Sequence, residues 1–161
     1  ICEQIDEPEE VLVMFSGIGP FPVCIAKHNE DTKCWAIELN REAHEYCVEN
    51  IRLNKLGDRV TAIHGDVRDI CPAIDKQFDR VLTPLPKGAH QFLDITIPMV
   101  KPGGVLHFYH WAPDDDPYSG AYELVEAAAS EYNRECEFKG GVQVSKYSPG
   151  VSKVRIDVKI N

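Results

Sequence analysis

The sequence has no apolar run that approaches the roughly 20 residues of a membrane span. It also has no C-x-x-C pair among its six cysteines. The first residues are acidic and lack the apolar region of a signal peptide. Most of the cysteines stand in apolar contexts, which favours buried free thiols and a reducing, cytoplasmic setting. No spacing of potential ligands resembles a metal site, so we expect no metal.

Basic residues are scarce, with 17 Lys or Arg against 26 Asp or Glu and a formal net charge of −9. They are also unevenly spread. Residues 134–161 hold six Lys or Arg against three acids, whereas the first 133 residues hold 11 against 23. Affinity for phosphates scales with cationic contacts, so the body of the chain is predicted to bind nucleic acid poorly. A polyanionic partner is expected to use the basic end or parts outside this sequence.

Several nucleotide and hydrolase motifs are missing. There is no G-x-S-x-G elbow and no P-loop lysine, which excludes the corresponding hydrolases and kinases. An apolar run over residues 11–15 does break into Gly17-x-Gly19, but Pro22 stands where a dinucleotide motif has its third glycine. A ligand that needs close backbone approach without a pyrophosphate fits this turn better, and S-adenosylmethionine (SAM) is such a ligand.

Strand and helix patterns alternate along the chain. Strands are predicted over 11–15, 33–38, 60–64, 78–83 and 105–110, helices over 21–29, 41–54, 66–70, 87–99 and 118–132, a tight turn at 101–104, and a β-hairpin from 136–144 and 154–160. This order predicts a single α/β domain with a Rossmann-like, seven-stranded sheet in the order 3-2-1-4-5-7-6, its last strand antiparallel. We expect residues 1–161 to be one domain and the C-terminal part of a longer protein.

Two acids follow strands two and three of this sheet. Glu38 lies 21 residues after Gly17, where a carboxylate can accept hydrogen bonds from both hydroxyls of a ribose. Asp66 is placed to accept the exocyclic amine of adenine, with the backbone N–H of Val67 on the ring nitrogen. Each acid has a plainer alternative, a solvated helix start for Glu38 and a helix N-cap for Asp66. Their positions favour the nucleoside roles.

Strand four ends in Thr83-Pro84-Leu85-Pro86. Two prolines around one residue fix an extended segment with few donors and exposed carbonyls. Such carbonyls suit a planar amine or amide edge, although a proline-stiffened loop is the plainer alternative. His90, His107, His110 and the acids at 114–116 are further acid–base candidates, the acidic run being typical of a solvated loop.

These segments together resemble class I SAM-dependent methyltransferases. More closely, they resemble the catalytic domain of archaeal-type tRNA (guanine-37-N1)-methyltransferases, over nearly the whole chain. The matching segments are Met14-Phe15-Ser16-Gly17-Ile18-Gly19-Pro20-Phe21, Ile37-Glu38-Leu39-Asn40, Glu49-Asn50-Ile51-Arg52-Leu53-Asn54-Lys55, Gly65-Asp66-Val67-Arg68, Leu85-Pro86-Lys87-Gly88-Ala89-His90-Gln91-Phe92-Leu93-Asp94, Gly103-Gly104-Val105-Leu106-His107-Phe108-Tyr109 and Lys146-Tyr147-Ser148-Pro149.

The resemblance implies methyl transfer from SAM to N1 of the guanine at position 37 of tRNA, with the base splayed out of its stack. It implies a cofactor site made of Phe15, Gly17, Gly19, Phe21, Glu38, Leu39, Asp66, Val67 and Pro84. It also implies a catalytic segment at Pro84, Leu85 and Pro86. The implied partner is tRNA, bound through its anticodon region and largely by parts upstream of this sequence, with no membrane and no metal involved.

The chain departs from the family in three places. Val13 stands where the family has Asp, and Pro84 stands where it has Asn, which leaves only carbonyl acceptors and resembles a branch that acts on wyosine-type guanosines. The family's Arg and Glu for phosphate contact and proton removal lie upstream of Ile1. Two alternatives therefore stay open, namely aminocarboxypropyl transfer from SAM to a wyosine precursor and a SAM-binding module without chemistry. We expect the chain to bind SAM but to modify tRNA poorly by itself.

Overall fold

The computed structural model of the chain describes residues 1–85 and 87–161. Seven strands form one sheet in the order β3-β2-β1-β4-β5-β7-β6, and β7 runs antiparallel to both of its neighbours. The strands are β1 (Glu10–Met14), β2 (Lys33–Glu38), β3 (Val60–His64), β4 (Phe78–Thr83), β5 (Val100–Pro113), β6 (Cys136–Ser148) and β7 (Val151–Ile160). The predicted fold class and strand order are confirmed.

Five α-helices join the strands. They are α1 (Pro20–His28), α2 (Arg41–Leu53), α3 (Val67–Ala73), α4 (Leu93–Thr96) and α5 (Ser119–Ser130), with 3-10 segments at Cys2–Gln4, Ala89–Phe92 and Ile97–Met99. Asn40 caps α2, because its side chain accepts a hydrogen bond from the Ala43 N–H at 3.0 Å. None of the described helices is long and apolar enough to cross a membrane.

The single helix predicted over 87–99 is wrong, because this segment is broken into two 3-10 turns around the short α4. Pro98 lacks an N–H, and its ring would clash with the Asp94 carbonyl in a continuous helix. That carbonyl instead accepts the Tyr132 hydroxyl at 2.6 Å. The predicted turn at 101–104 lies inside β5, where the pairing with β4 shifts register. The hairpin is confirmed, with both strands longer than predicted.

The sheet has a hydrophobic core on each face. Leu12 and Met14 point into the core that contains α3, α4 and α5, whereas Val11 and Val13 point into the core beneath α1 and α2. All four side chains are fully buried. A run of apolar residues without alternation is what a strand covered on both faces requires. The Val13 position that departs from the family is therefore part of this core.

A buried polar network lies on the α1 side of β4, β5 and β7. Arg80 donates to both carboxylate oxygens of Glu9, at 2.6 and 2.7 Å, and contacts Nε2 of His107 at 2.6 Å. Because the guanidinium has only donors, Nε2 accepts and the proton sits on Nδ1, which donates to Asp157 at 2.6 Å. Gln4 also donates to Asp157, at 2.9 Å. His107, which was an acid–base candidate from the sequence, is therefore fully buried and has a structural role.

The network fixes the protonation of its members. Burial lowers the pKa of His107 to about 4, and the Asp157 carboxylate only partly opposes this shift. Although burial works against the charge of Asp157, the hydrogen bond from His107 holds the pKa of Asp157 below its ordinary value. The folded network therefore contains a neutral imidazole between a carboxylate and a guanidinium.

This arrangement predicts acid sensitivity between about pH 6.5, the ordinary His pKa, and about pH 4. In that window His107 takes up a proton in the unfolded chain but stays neutral in the folded protein. The free energy of unfolding should therefore fall as the pH is lowered, by on the order of 3 kcal/mol in total. Denaturant titrations at a series of pH values measure this slope.

The matched variants are His107→Gln and His28→Gln, the second being an exposed histidine on α1. His107→Gln should be less stable at pH 7 but should lose most of the slope between pH 6.5 and 4. His28→Gln should keep it. A His107→Gln variant with the wild-type slope would show that another group is responsible.

Candidate active site

The turn that follows β1 bends back tightly before α1 begins. Phe15, Gly17 and Gly19 all have positive φ angles, of 57°, 55° and 84°. These left-handed positions curl the chain back on itself, with the Gly17 N–H bound to Glu38 and the Gly19 N–H bound to the Ser16 carbonyl. The Ser16 N–H donates to the carbonyl of Ile37 at 2.9 Å, which ties the turn to the neighbouring strand. The turn therefore offers its backbone directly at the carboxyl edge of the sheet.

The two glycines have different roles. A Cβ atom at Gly17 would meet nothing within 4 Å, so this position needs its backbone angle and leaves open space beside it. A Cβ atom at Gly19 would lie 2.6 Å from Sγ of Cys47 on α2. Gly19 therefore permits the close packing of the turn against α2, while Gly17 lies at the surface that a ligand can approach.

Glu38 joins the turn to the start of α2. Its Oε2 accepts the Gly17 N–H at 2.7 Å, and its Oε1 accepts the Asn40 N–H at 2.8 Å. A carboxylate has about four acceptor sites, so each oxygen can still accept a hydrogen bond from a ligand. The half-buried side chain is held with both oxygens at fixed positions. This geometry is suited to two adjacent hydroxyl groups.

A cavity of about 610 Å³ opens beside this carboxylate. It is lined by Phe15, Ser16, Gly17, Ile18, Pro20, Phe21, Glu38, Leu39, Pro84, Leu85 and Phe92. The lining is mainly apolar, with Glu38 as its only charged member among the described residues. Small-molecule sites are usually of this size and character, an apolar hollow with a few placed polar groups.

Most of the predicted site residues meet at this cavity. Those that line it are Phe15, Gly17, Phe21, Glu38, Leu39, Pro84 and Leu85. Gly19, Asp66 and Val67 are outside the lining. Pro86, the third residue of the predicted catalytic segment, lies outside the described residues. Seven of the predicted site residues therefore share one cavity, and three others do not form its surface.

Asp66 has a clear structural role at the start of α3. Its Oδ1 accepts the Arg68 N–H at 2.8 Å, which makes it the N-cap of this helix. Val67 is buried in the core beside it. Oδ2 of Asp66 accepts no hydrogen bond from any described residue. The capping role and a role toward a ligand are compatible, because they use different oxygens.

Pro84 and Leu85 lie opposite the glycine turn. They follow β4, which pairs in parallel with β1 through Leu82 and Val13, so both segments leave the same edge of the sheet. Both residues are half-buried. Within residues 1–85 and 87–161, no donor binds either of their carbonyl oxygens. These carbonyls are therefore available as acceptors for a ligand in the cavity.

Phe92 is a lining residue that the strand-end analysis missed. Its ring packs edge-to-face against Phe15, with centroids 4.9 Å apart, and the Arg68 guanidinium lies 4.7 Å from its centroid. Only its place in the segment after Pro84 could have indicated this role. The two phenyl rings form the apolar floor between the glycine turn and the Pro84 segment.

The remaining acid–base candidates lie outside the lining. His90 and His110 form an edge-to-face pair with centroids 6.0 Å apart. Burial is the larger cause that lowers the pKa of His110, and the neighbouring His90 lowers it further. Asp114 accepts hydrogen bonds from the hairpin, including one from Lys146 at 3.2 Å. No group of three His, Cys, Asp or Glu that could hold a metal ion occurs in the part of the chain that the structure describes.

Comparison with known proteins gives relatives of two related kinds. Over 161 residues, the chain is 34% identical to Trm5b, a tRNA (guanine(37)-N(1))-methyltransferase of Pyrococcus abyssi, covering all of this chain and 47% of that protein. Over 154 residues, it is 34% identical to the tRNA(Phe) (4-demethylwyosine(37)-C(7)) aminocarboxypropyltransferase of Methanocaldococcus jannaschii, covering 96% of this chain and 61% of that protein. The chain thus spans about half the length of these curated relatives.

Solved structures of the same two kinds share the fold. The M. jannaschii TYW2 structure in complex with AdoMet has a TM-score of 0.88 and 33% identity, with 96% of this chain and 69% of that chain covered. Wild-type Trm5b from P. abyssi has a TM-score of 0.88 and 34% identity, with 99% and 46% covered. The profile of the TRM5/TYW2 methyltransferase domain matches residues 1–138. With its sheet order and its cavity at the end of β1, the chain belongs to the TRM5/TYW2 methyltransferase domain family.

Proposed function

We propose that residues 1–161 form a single SAM-binding methyltransferase domain, with the cofactor in the cavity beside Glu38. Three features of the cavity support this. The turn at Gly17 allows close backbone approach, the carboxylate of Glu38 has free acceptor sites for two ribose hydroxyls, and the lining is apolar enough for an adenine ring. The related TYW2 structure contains AdoMet.

Each predicted cofactor residue takes a specific part in this proposal. Glu38 binds the ribose, and the backbone at Gly17 and the rings of Phe15 and Phe21 enclose the ligand. The free Oδ2 of Asp66 accepts the adenine amine. The other assigned residues act around these, with Leu39 and Pro84 in the wall, Gly19 in the packing of the turn, and Val67 through its backbone N–H.

We propose that the reaction is SAM-dependent transfer onto a guanine-type base at position 37 of tRNA. Both kinds of relative are named for reactions at that position. SAM supplies an electrophilic carbon next to its sulfonium. The carbonyls of Pro84 and Leu85 hold the amine edge of the acceptor base, and Phe15 and Phe92 keep water from the space between. Orientation of the base against the transferred group supplies much of the rate in such a displacement.

The single observation that carries this function is that Pro84 and Leu85 line the same cavity as Glu38, with carbonyl oxygens that accept no hydrogen bond from the described residues. Methyl transfer to N1 of guanine, or of a wyosine-type guanosine, is the first candidate. Aminocarboxypropyl transfer to a wyosine precursor is the second, favoured by the equal identity to the two kinds of relative and by Pro84 in place of a side-chain acceptor. We place the reaction in the cytoplasm, in keeping with six free cysteines.

Glu38→Gln tests the cofactor site. The change removes the charge from a hydrogen-bonded acceptor, so SAM affinity should fall by about 10- to 100-fold, as expected for a hydrogen bond to a charged group. Calorimetric titration with SAM measures it. Glu42→Gln, an exposed acid in the first turn of α2, is the control and should bind SAM like the wild type. Binding of NAD in place of SAM by the wild type would refute the assignment.

The identity of the product decides between the candidate reactions. The protein is incubated with tRNA and with SAM that carries heavy carbon only in its methyl group. Methyl transfer should add one methyl mass with the label to the nucleoside at position 37, whereas aminocarboxypropyl transfer adds a larger, unlabelled group. A tRNA with adenosine at position 37 should gain neither. SAM binding without any product on guanosine or wyosine-precursor tRNA, in an incubation long enough for the slow transfer expected of this chain by itself, would favour a binding module without chemistry.

A further inference from the structure

Four side chains form a strip across the ends of β5, β7 and β6, on the side of the sheet that carries α1. The strip consists of Tyr109, Trp111, Tyr147 and Lys153. Tyr109 and Trp111 are two residues apart on β5 and so share one face, and Lys153 pairs with Trp111 across the β5–β7 ladder. The Trp111 and Tyr147 rings lie 4.2 Å apart between centroids, and Nζ of Lys153 lies 5.1 Å from the Tyr109 centroid.

The strip begins at the cavity. Phe21, which lines the cavity, packs edge-to-face on Tyr109 with centroids 6.0 Å apart. Since β5 is parallel to β4 and β1, its carboxyl end lies at the same edge of the sheet as the glycine turn. The buried ring of Tyr109, which is 4% exposed, therefore connects the cavity by packing to the part of β5 that carries Trp111.

Exposure shows that the outer part of the strip does not belong to the core. Tyr147 is 70% exposed, and Trp111 is half-buried at the end of its strand. On the same hairpin strand, Val142 and Val144 are each 47% exposed. A tyrosine this exposed contributes little to packing, although it holds a ring directly against Trp111. Aromatic groups presented in this way are available to a partner.

The charge around the strip differs from that of the rest of the chain. Residues 134–161 carry six Lys or Arg against three acids, in a protein of net charge −9. Lys153 stands within the strip, and burial lowers the pKa of its ammonium group from the ordinary value of 10.5. Lys146, next to Tyr147, has a side chain that is 73% exposed and forms an ion pair with Asp114 at 3.2 Å. Interleaved aromatics and lysines are the composition of surfaces that bind single-stranded nucleic acid.

We propose that this strip binds an unpaired RNA nucleotide adjacent to the base that enters the cavity. The inference rests on the proposed function, because a base drawn into the cavity leaves its neighbour without a stacking partner. The Trp111 and Tyr147 rings replace that partner, and Lys153 lies close enough to contact the adjoining phosphate. Stacking on aromatic rings does not depend on base identity, so the strip holds the RNA without selecting its sequence.

Anisotropy titrations of a fluorescent RNA stem-loop with a guanosine in the target position test the strip. Tyr147→Ala and Trp111→Ala should each raise the Kd for this RNA by about tenfold, the loss expected for one stacked base. Tyr147→Phe keeps the ring and should bind like the wild type. Tyr46→Ala, which removes a 55% exposed tyrosine from α2, is the matched control and should have no effect.

The nucleotide on each side of the target guanosine is replaced, one at a time, by an abasic sugar. This replacement identifies the stacked nucleotide. At one position it should weaken binding to the wild type about tenfold and cause no further loss in Tyr147→Ala. Lys153→Met should lower the slope of log Kd against log salt by about one, as for one lost phosphate contact. Lys33→Met, which removes an exposed lysine at the amino end of β2, should leave the slope unchanged.

Different results would refute RNA binding by the strip and the proposed function. If the Trp111 and Tyr147 variants bind RNA and transfer the group to tRNA like the wild type, the strip is refuted and the function stands. If RNA binding depends on the strip but no transfer product forms on any tRNA, the function fails alone. Self-association that Tyr147→Ala abolishes, with RNA affinity unchanged, would identify a protein interface and would also overturn the proposal. SAM affinity should be the same in every strip variant.

Discussion

The carboxylate of Glu38 is the interaction on which the candidate site depends. One oxygen holds the N–H of Gly17 and the other holds the N–H of Asn40, so a single side chain fixes the glycine turn to the start of α2. Hydrogen bonds to a charged acceptor are stronger than neutral ones, and here both are short. The same oxygens keep free acceptor sites toward the cavity. Rigidity of the turn and recognition of a ligand are therefore properties of one group.

The opposite wall is built on another principle. Pro84 and Leu85 offer backbone carbonyls, and Phe15 and Phe92 offer apolar rings, so this side recognises shape and donor groups without any charge. The two walls meet because β1 and β4 are parallel neighbours that end at one edge. The Glu38 side of the cavity thus carries a hydrogen-bonded carboxylate, while the Pro84 side offers backbone carbonyls.

Sequence patterns were sufficient wherever one local signal determined the structure. The buried strand before Gly17 and the acid that ends β2 each follow from residues close together in the chain. The break in the segment over 87–99 follows from Pro98, a local signal that the prediction of one helix left out. The neutral state of His107, in contrast, depends on contacts with β4 and β7. Phe92 reaches the cavity only through that broken segment. Contacts between distant residues, which no local pattern records, account for the state of His107.

The central claim is that one cavity binds SAM against Glu38 and presents its reactive end to the Pro84 segment. A crystal structure of the protein soaked with SAM tests this most directly. We expect both ribose hydroxyls within hydrogen-bonding distance of the Glu38 carboxylate and the methyl group directed toward Pro84 and Leu85. Electron density for SAM elsewhere on the chain, or with its methyl group directed away from that segment, would contradict it.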